Sequence, residues 1–169
     1  RYDLSSRESV SYGGAPAAPE LVARLKQKLP LAEPGNGYGL TETSSVTTQN
    51  VGEDYARKPE SAGLPIPVCD LRVVDPTGRE LPPGSIGELW IKGPNVVKGY
   101  WNKPEATAQT FTDGWLHSGD VARIDEEGFV FILDRAKDML IRGGENIYCV
   151  EVEDALYSAP AVMDAAVIG

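Results

Sequence analysis

The sequence has little of what a disulfide scaffold, a metal centre or a polyanion-binding surface would need. Its two cysteines, Cys69 and Cys149, are too few for a disulfide framework. They suit a reducing compartment, so a cytoplasmic location is expected, with both thiols read as small buried hydrophobes. One histidine, His117, cannot build a His-rich metal site. No basic cluster stands out against a net charge of −9, so neither nucleic acid nor an anionic membrane is an expected partner. The apolar runs are far too short for a transmembrane segment, and the first residues do not follow the basic, apolar, small-residue pattern of a leader. Internal repeats and low-complexity tracts are also missing.

What is present is ordinary globular material: 169 residues, 41% apolar and 24% charged. That length suits one medium domain or two small pieces. The last residues, from Val162 to Ile168, read as a strand, and a strand needs a neighbour to pair with. The chain is therefore expected to be a piece of something longer.

Three textures follow one another. In residues 1–60 a short strand at 9–13 turns at Gly13-Gly14-Ala15-Pro16. A helix then begins at Pro19-Glu20, with Leu21, Val22, Leu25 and Leu29 on one face. Residues 34–45 read as a glycine-rich turn, and residues 49–61 as polar loop. This is the pattern of a remnant of an α/β layer. In residues 61–133 prolines punctuate short β-rich runs at 71–74, 88–91 and 129–132, with one helix from Pro104 to Phe111 between them. That pattern predicts a small antiparallel, barrel-like β unit. Beyond a hinge at 134–138, residues 139–169 read as the start of a small α+β domain, with a helix over 150–157. The fold class expected is mixed α+β.

Three segments carry candidate chemistry. In Asn36-Gly37-Tyr38-Gly39-Leu40-Thr41-Glu42-Thr43, glycines let the backbone approach a phosphate. Thr41 adds a hydroxyl, Glu42 a hard oxygen for Mg²⁺, and Tyr38 an aromatic face. A mobile glycine turn has the same pattern, so spacing alone leaves both readings open. In Leu116-His117-Ser118-Gly119-Asp120, an aspartate at the start of a strand suits a ribose diol as well as it suits a cap. His117 reads as a turn residue, and no nucleophile elbow is present. In Asp134-Arg135-Ala136-Lys137-Asp138, a forked cation and a hinge lysine compete with a plain solvated linker.

Together these segments say more than each alone. Gly-Gly-Ala-Pro (13–16), Gly-Tyr-Gly-Leu-Thr-Glu (37–42), Gly-Glu-Leu-Trp (87–90), Gly-Trp-Leu-His-Ser-Gly-Asp (114–120) and Asp-Arg-Ala-Lys-Asp (134–138), in this order, resemble the adenylate-forming superfamily. Its members are acyl-CoA synthetases, firefly luciferase and the adenylation domains of peptide synthetases. Leu40 and Gly144-Glu145-Asn146-Ile147-Tyr148 look like the acyl-CoA synthetase side of it.

The resemblance implies roles residue by residue. Gly14, Ala15 and Pro16 would lie near the adenosine and the acyl end. Tyr38 would stack on adenine, the Gly37 backbone would read its amino group, and Gly39 belongs to the same loop. Thr41 would bind the α-phosphate and Glu42 the Mg²⁺, making these two, with Lys137 at the hinge, the catalytic candidates. Asp120 and Arg135 would hold the ribose, with Ile132 as an apolar contact. Lys137 falls at the hinge between half-reactions, and Gly143-Gly144 at the segment that closes on the coenzyme A thiol.

The implied chemistry is attack of a small-molecule carboxylic acid on the α-phosphorus of ATP, loss of pyrophosphate, then transfer of the acyl group from AMP to coenzyme A. A long-chain fatty acid is the first expectation for the substrate and an aromatic acid the second. Transfer to a carrier protein, oxidation, and a truncated nucleotide-binding module are the alternatives. The family's upstream phosphate loop and its lysine near the C-terminus do not occur in these residues, so this chain alone is not expected to complete adenylation. Apolar helix faces at Leu21, Leu25 and Leu29 and at Val152 and Leu156 predict that this fragment forms a homo-dimer or exchanges its C-terminal segment across the hinge.

Overall fold

The computed structural model describes residues 3–14, 19–142, 145–157, 159, 161–163 and 165–168. Its architecture is mixed α/β, with a curled antiparallel sheet at the centre and a small α+β segment at the C-terminal side.

The first sheet is built from β1 (Ser9–Gly13), β2 (Glu33–Tyr38), β3 (Thr48–Val51) and β4 (Leu64–Pro65), in that order. β1 and β2 are parallel and joined through α1 (Pro19–Lys28), as parallel neighbours require. β3 and β4 then add antiparallel. The glycine-rich stretch expected to be a turn thus forms a strand over residues 33–38. Neighbours on both edges pair it, Gly35 opposite Ser11 on one side and Val51 on the other, and that pairing outweighs the weak strand tendency of glycine. A short 3-10 turn, Thr41–Thr43, follows. The polar stretch 49–61 is likewise not plain loop. It contains β3 and α2 (Gly52–Arg57), anchored by Tyr55, which is 1% exposed and hydrogen-bonded through its hydroxyl to that of Tyr12.

The second sheet takes β5 (Asp70–Val74), β6 (Ile86–Lys92), β8 (Trp115–Ile124) and β7 (Phe111–Thr112) in that order, with β9 (Val130–Arg135) also on β8. α3 (Pro104–Thr110) precedes β7, with proline at its first turn where a missing N–H costs nothing. Register shifts between Glu88 and Trp90 and between Val121 and Ala122 mark bulges, which bend the strands and curl the sheet. Val73, Leu89, Ile91, Leu116, Ala122 and Val130 form the core on one face of it, and Tyr38, Leu40 and Ile132 pack against them.

On the opposite face, His117 is not a turn residue. It lies inside β8, directly opposite Trp90, and the two rings stack at 3.9 Å with 12° between their planes.

The two sheets are stitched together along residues 57–63. Asn50, fully buried, donates to the Lys58 and Ser61 carbonyls at 2.8 and 2.9 Å. The Ser61 hydroxyl and the Ala62 amide both donate to the Val130 carbonyl, each at 2.8 Å, and the Val130 amide returns a bond to Gly63 at 3.0 Å. Gly63 has φ +95°, and an added Cβ would stand 2.1 Å from the Gln49 carbonyl oxygen, so only glycine fits there. Outside this seam, Lys58 pairs with Asp125 and Glu127, and the Lys58 and Arg57 side chains lie over the Phe129 ring.

Beyond β9 come the hairpin of β10 (Leu140–Arg142) and β11 (Glu145–Ile147) and then α4 (Cys149–Tyr157). Asp134 does not belong to a solvated linker. It is 4% exposed and accepts the Arg135 amide at 2.7 Å and, through its other oxygen, the Cys149 amide at 2.6 Å. A carboxylate at the first turn of α4 satisfies a donor the helix cannot pair itself. The strand expected over 162–168 does not form among the described residues there. The chain is tied to α4 instead, where Glu153 accepts the Val167 amide at 2.8 Å.

Candidate functional site

The end of β2, the middle of β8 and the end of β9 meet at a cleft of ≈ 1120 Å³. Three side chains interlock on its wall. Asp120 on β8 is 2% exposed. Its Oδ2 accepts the Tyr38 hydroxyl at 2.5 Å, and its Oδ1 accepts Arg135 Nε at 2.8 Å. Asp120 and Arg135 are directly opposite in the β8–β9 register, so strand pairing itself brings the ion pair together. The Asp120 amide donates to the Ser118 hydroxyl at 3.0 Å across Gly119, whose φ of +71° falls where the β6–β8 register shifts.

The electrostatics follow from burial. Desolvation pushes the Asp120 carboxyl above the usual carboxylate range, against the opposing pull of Tyr38 and Arg135. Glu88 adds to the rise; its Oε1 accepts the Gly119 amide at 3.1 Å and its Oε2 the Trp90 indole at 3.0 Å. Burial, then the adjacent Asp120 charge, raise the Tyr38 phenol far above its normal value, so it stays a donor. Each Asp120 oxygen has used one lone-pair direction and keeps a second for a hydroxyl from a ligand. Arg135 spends only Nε on the aspartate. Its terminal nitrogens make no hydrogen bond among the described residues.

The same cleft is lined by Gly14, Gly37, Gly39, Ile132 and Lys137. A smaller cleft of ≈ 560 Å³ shares Gly14 and residues 36–40 with it and reaches Thr41. At Gly39 an added Cβ would stand 1.6 Å from the Ser45 carbonyl oxygen, so this turn closes only without a side chain there. Ser44 completes it in the left-handed region at φ +54°. Glu42 is not among the described lining residues of either cleft; its Oε1 accepts the Tyr100 hydroxyl at 2.6 Å. Lys137 is well exposed, at the middle of a turn closed by the Asp138 amide on the Arg135 carbonyl at 3.0 Å. Ala15, Pro16, Gly143 and Gly144 lie outside the described residues.

No three acidic, histidine or cysteine side chains among the described residues form a metal cage. One carboxylate near a phosphate-sized glycine turn fits Mg²⁺, which takes one or two carboxylates and completes its shell with phosphates and water. It does not fit a tightly held structural metal.

Sequence reasoning missed Asp134, Glu88 and Tyr100. Each acts on a residue distant in sequence or through a strand neighbour, and no local pattern marks such a contact.

A buried carboxylate, a forked cation and a protonated phenol thus share one wall of this cleft. The family model described as AMP-binding enzyme matches residues 1–101, and the chain belongs to that family. It is similar to feruloyl-CoA synthase of Amycolatopsis sp, 47% identical over 99% of this chain and 34% of that protein. It is also similar to long-chain-fatty-acid–CoA ligase of Bacillus subtilis, 46% identical over 99% of this chain and 30% of that protein. Among solved structures, o-succinylbenzoate CoA synthetase from Bacillus subtilis in complex with its acyl-adenylate intermediate superposes with a TM-score of 0.87. The identity is 40%, over 95% of this chain and 33% of that one. The chain thus spans about a third of the length of the relatives it matches.

Proposed function

We propose that the whole protein is an AMP-forming acid–thiol ligase, which joins a carboxylic acid to coenzyme A through an acyl-adenylate, and that this chain carries most of its adenosine site. The observation that carries the reading is the Tyr38–Asp120–Arg135 cluster on the cleft wall, in a chain of this family. Asp120 accepts the ribose hydroxyls with its remaining lone pairs, and the terminal nitrogens of Arg135 donate to ribose or phosphate oxygens. The Tyr38 ring lies against adenine, with Ile132 on the nucleoside, and the Gly37 backbone reads the adenine amino group. Gly14, Gly39, Ala15 and Pro16 border the nucleotide and acyl end. Thr41 donates to the α-phosphate, where charge grows as pyrophosphate departs. Mg²⁺, when bound at Glu42, supplies charge neutralisation to the phosphates.

The division into residues 1–60, 61–133, a hinge at 134–138 and 139–169 belongs to the same reading, with Lys137 at the pivot and Gly143-Gly144 on the coenzyme A side. So does a cytoplasmic location, supported by two free, buried thiols at Cys69 and Cys149. No helix among the described residues is long and apolar enough to cross a membrane. Val152 and Leu156 remain 36% and 42% exposed on α4, which supports a homo-dimer through exchange of the C-terminal segment.

The relatives' names span an aromatic acid and long-chain fatty acids at nearly equal identity, so a fatty acid and an aromatic acid stand as the two substrate candidates. ATP–pyrophosphate exchange by the full-length protein, run with both kinds of acid, tests the reading. Exchange dependent on one acid and followed by thioester formation with coenzyme A is expected. Exchange without thioester would move the acceptor to a carrier protein or to oxidation. AMP binding without exchange for any acid would favour a non-catalytic nucleotide module.

A further inference from the structure

On the reading above, Glu42 is the one carboxylate offered to a divalent cation, so whatever aims it decides whether it can act. Its backbone is fixed first. The Glu42 carbonyl accepts the Val97 amide at 2.8 Å, and the Thr43 carbonyl accepts Asn95 Nδ2 at 3.2 Å. The Ser44 hydroxyl donates to the Asn95 carbonyl at 2.9 Å. Thr43, 1% exposed, accepts the Leu40 amide and donates to the Leu40 carbonyl, both at 2.9 Å. Residues 95–97 therefore hold the turn. A glutamate on a fixed backbone still has three side-chain torsions to lose before it becomes a ligand.

We infer that Tyr100 is the positioning residue for Glu42, its phenol holding Oε1 so that Oε2 is presented to a divalent cation on the nucleotide phosphates. The contact is 2.6 Å, and among the described residues Oε2 has no hydrogen bond. Tyr100 is itself held firmly. Its amide donates to the Thr107 hydroxyl at 2.9 Å, and its ring meets Phe111 edge-on at 5.9 Å. Phe111 packs against the core of the second sheet, so the support runs from that core through Phe111 and Tyr100 to Glu42. Gly99 lets the segment approach α3: at φ +148°, an added Cβ would stand 2.4 Å from Thr107 Cγ2. Groups that orient a metal ligand in this way change metal affinity by ~10–100-fold when removed.

The test uses the full-length protein with Mn²⁺ as a spectroscopic probe for Mg²⁺, titrated in the presence of ATP without acid substrate. Tyr100→Phe keeps the ring and its Phe111 contact and removes only the hydroxyl. It should raise the half-saturating Mn²⁺ concentration ~10-fold while metal-free AMP affinity and melting temperature stay at wild-type values. In a Glu42→Gln background the same change should do nothing further. The tyrosine ultraviolet difference spectrum induced by metal in the wild type should disappear in Glu42→Gln, a readout that does not depend on any Tyr100 variant folding. An unchanged Mn²⁺ titration in Tyr100→Phe, or an equal loss of AMP affinity and thermal stability, overturns the inference and leaves a loop brace. If Glu42→Gln binds Mn²⁺ as the wild type does, the assignment of Glu42 fails first and takes the inference with it.

Discussion

The two seams that β9 makes with the rest of the chain are built differently. At its start, Val130 is joined to residues 61–63 by three hydrogen bonds, and a fully buried Asn50 braces the loop behind them. At its end, Asp134 accepts the Cys149 amide, and the Cys149 thiol donates to the Asp138 carbonyl at 3.0 Å. The first seam fuses two sheets into one wall. The second ties α4 to the end of β9 through side chains. The Asp120–Arg135 pair sits at the second seam, where Arg135 directly follows Asp134 at the end of β9.

The largest effect is expected where the wall is fused. Leu89→Ala, at a fully buried position, should cost about 2–5 kcal/mol in denaturant unfolding of the full-length protein. A loss much below this would mean the curled sheet is not the core that supports the site. Asn50→Ala should cost about 1–3 kcal/mol, since it removes two hydrogen bonds and leaves the Lys58 carbonyl with the Ser61 amide and the Ser61 carbonyl with Asn36 Nδ2 at 3.5 Å.

Asp134→Ala addresses the second seam directly. It should accelerate hydrogen exchange across 149–157 while leaving 115–133 protected. Its local cost is about 1–3 kcal/mol. Equal acceleration in both segments would erase the contrast between the seams. Lys137→Pro fixes φ in the middle of the exposed turn and should hurt either pyrophosphate exchange or thioester formation far more than the other. Equal losses in the two half-reactions would remove Lys137 from the pivot.

The subtlest expectation concerns pH. The folded-state pKa of Asp120 is raised, so its ionisation costs stability in the ligand-free protein. That cost is fully present above the raised folded-state value and disappears as the pH falls through it towards the ordinary aspartate value. On the proposed reading, nucleotide binding uses the carboxylate as an acceptor. Affinity for AMP should therefore start to fall, on acidification, at a pH above that of an ordinary aspartate. Asp120→Asn should bind more weakly at neutral pH and show a flat profile in this range. A wild-type profile that is also flat there would show that the carboxylate does not carry the ribose contact. Tyr38→Ala should weaken AMP further, by ~1–3 kcal/mol if the ring stacks on the base.

Much of this was legible in the residues. β1, α1, α3 and α4 appear where periodicity and proline placed them, and the ordered motifs pointed to Tyr38, Asp120 and Arg135 before their contacts were known. Residues 33–38 were hidden because glycines there serve two neighbours at close range, and local propensity does not register partners. Asp134 was hidden because a run of charge reads as solvated, whereas its carboxylate answers an amide fifteen positions ahead. Tyr100 and Glu42 stand 58 residues apart, a separation at which no motif can pair them.

The stacked pair on the outer face has a practical consequence. His117 is the only histidine of the chain, and it lies 3.9 Å above the Trp90 indole in a near-parallel stack, three residues before Asp120 on the same strand. An imidazole held over an aromatic face sits in its ring current, so its carbon-bound protons should resonate well upfield of those of any free histidine. The fold thus carries its own reporter. A shift in that one signal on adding AMP would track the ligand wall from behind, with no label introduced and no residue of the cleft disturbed.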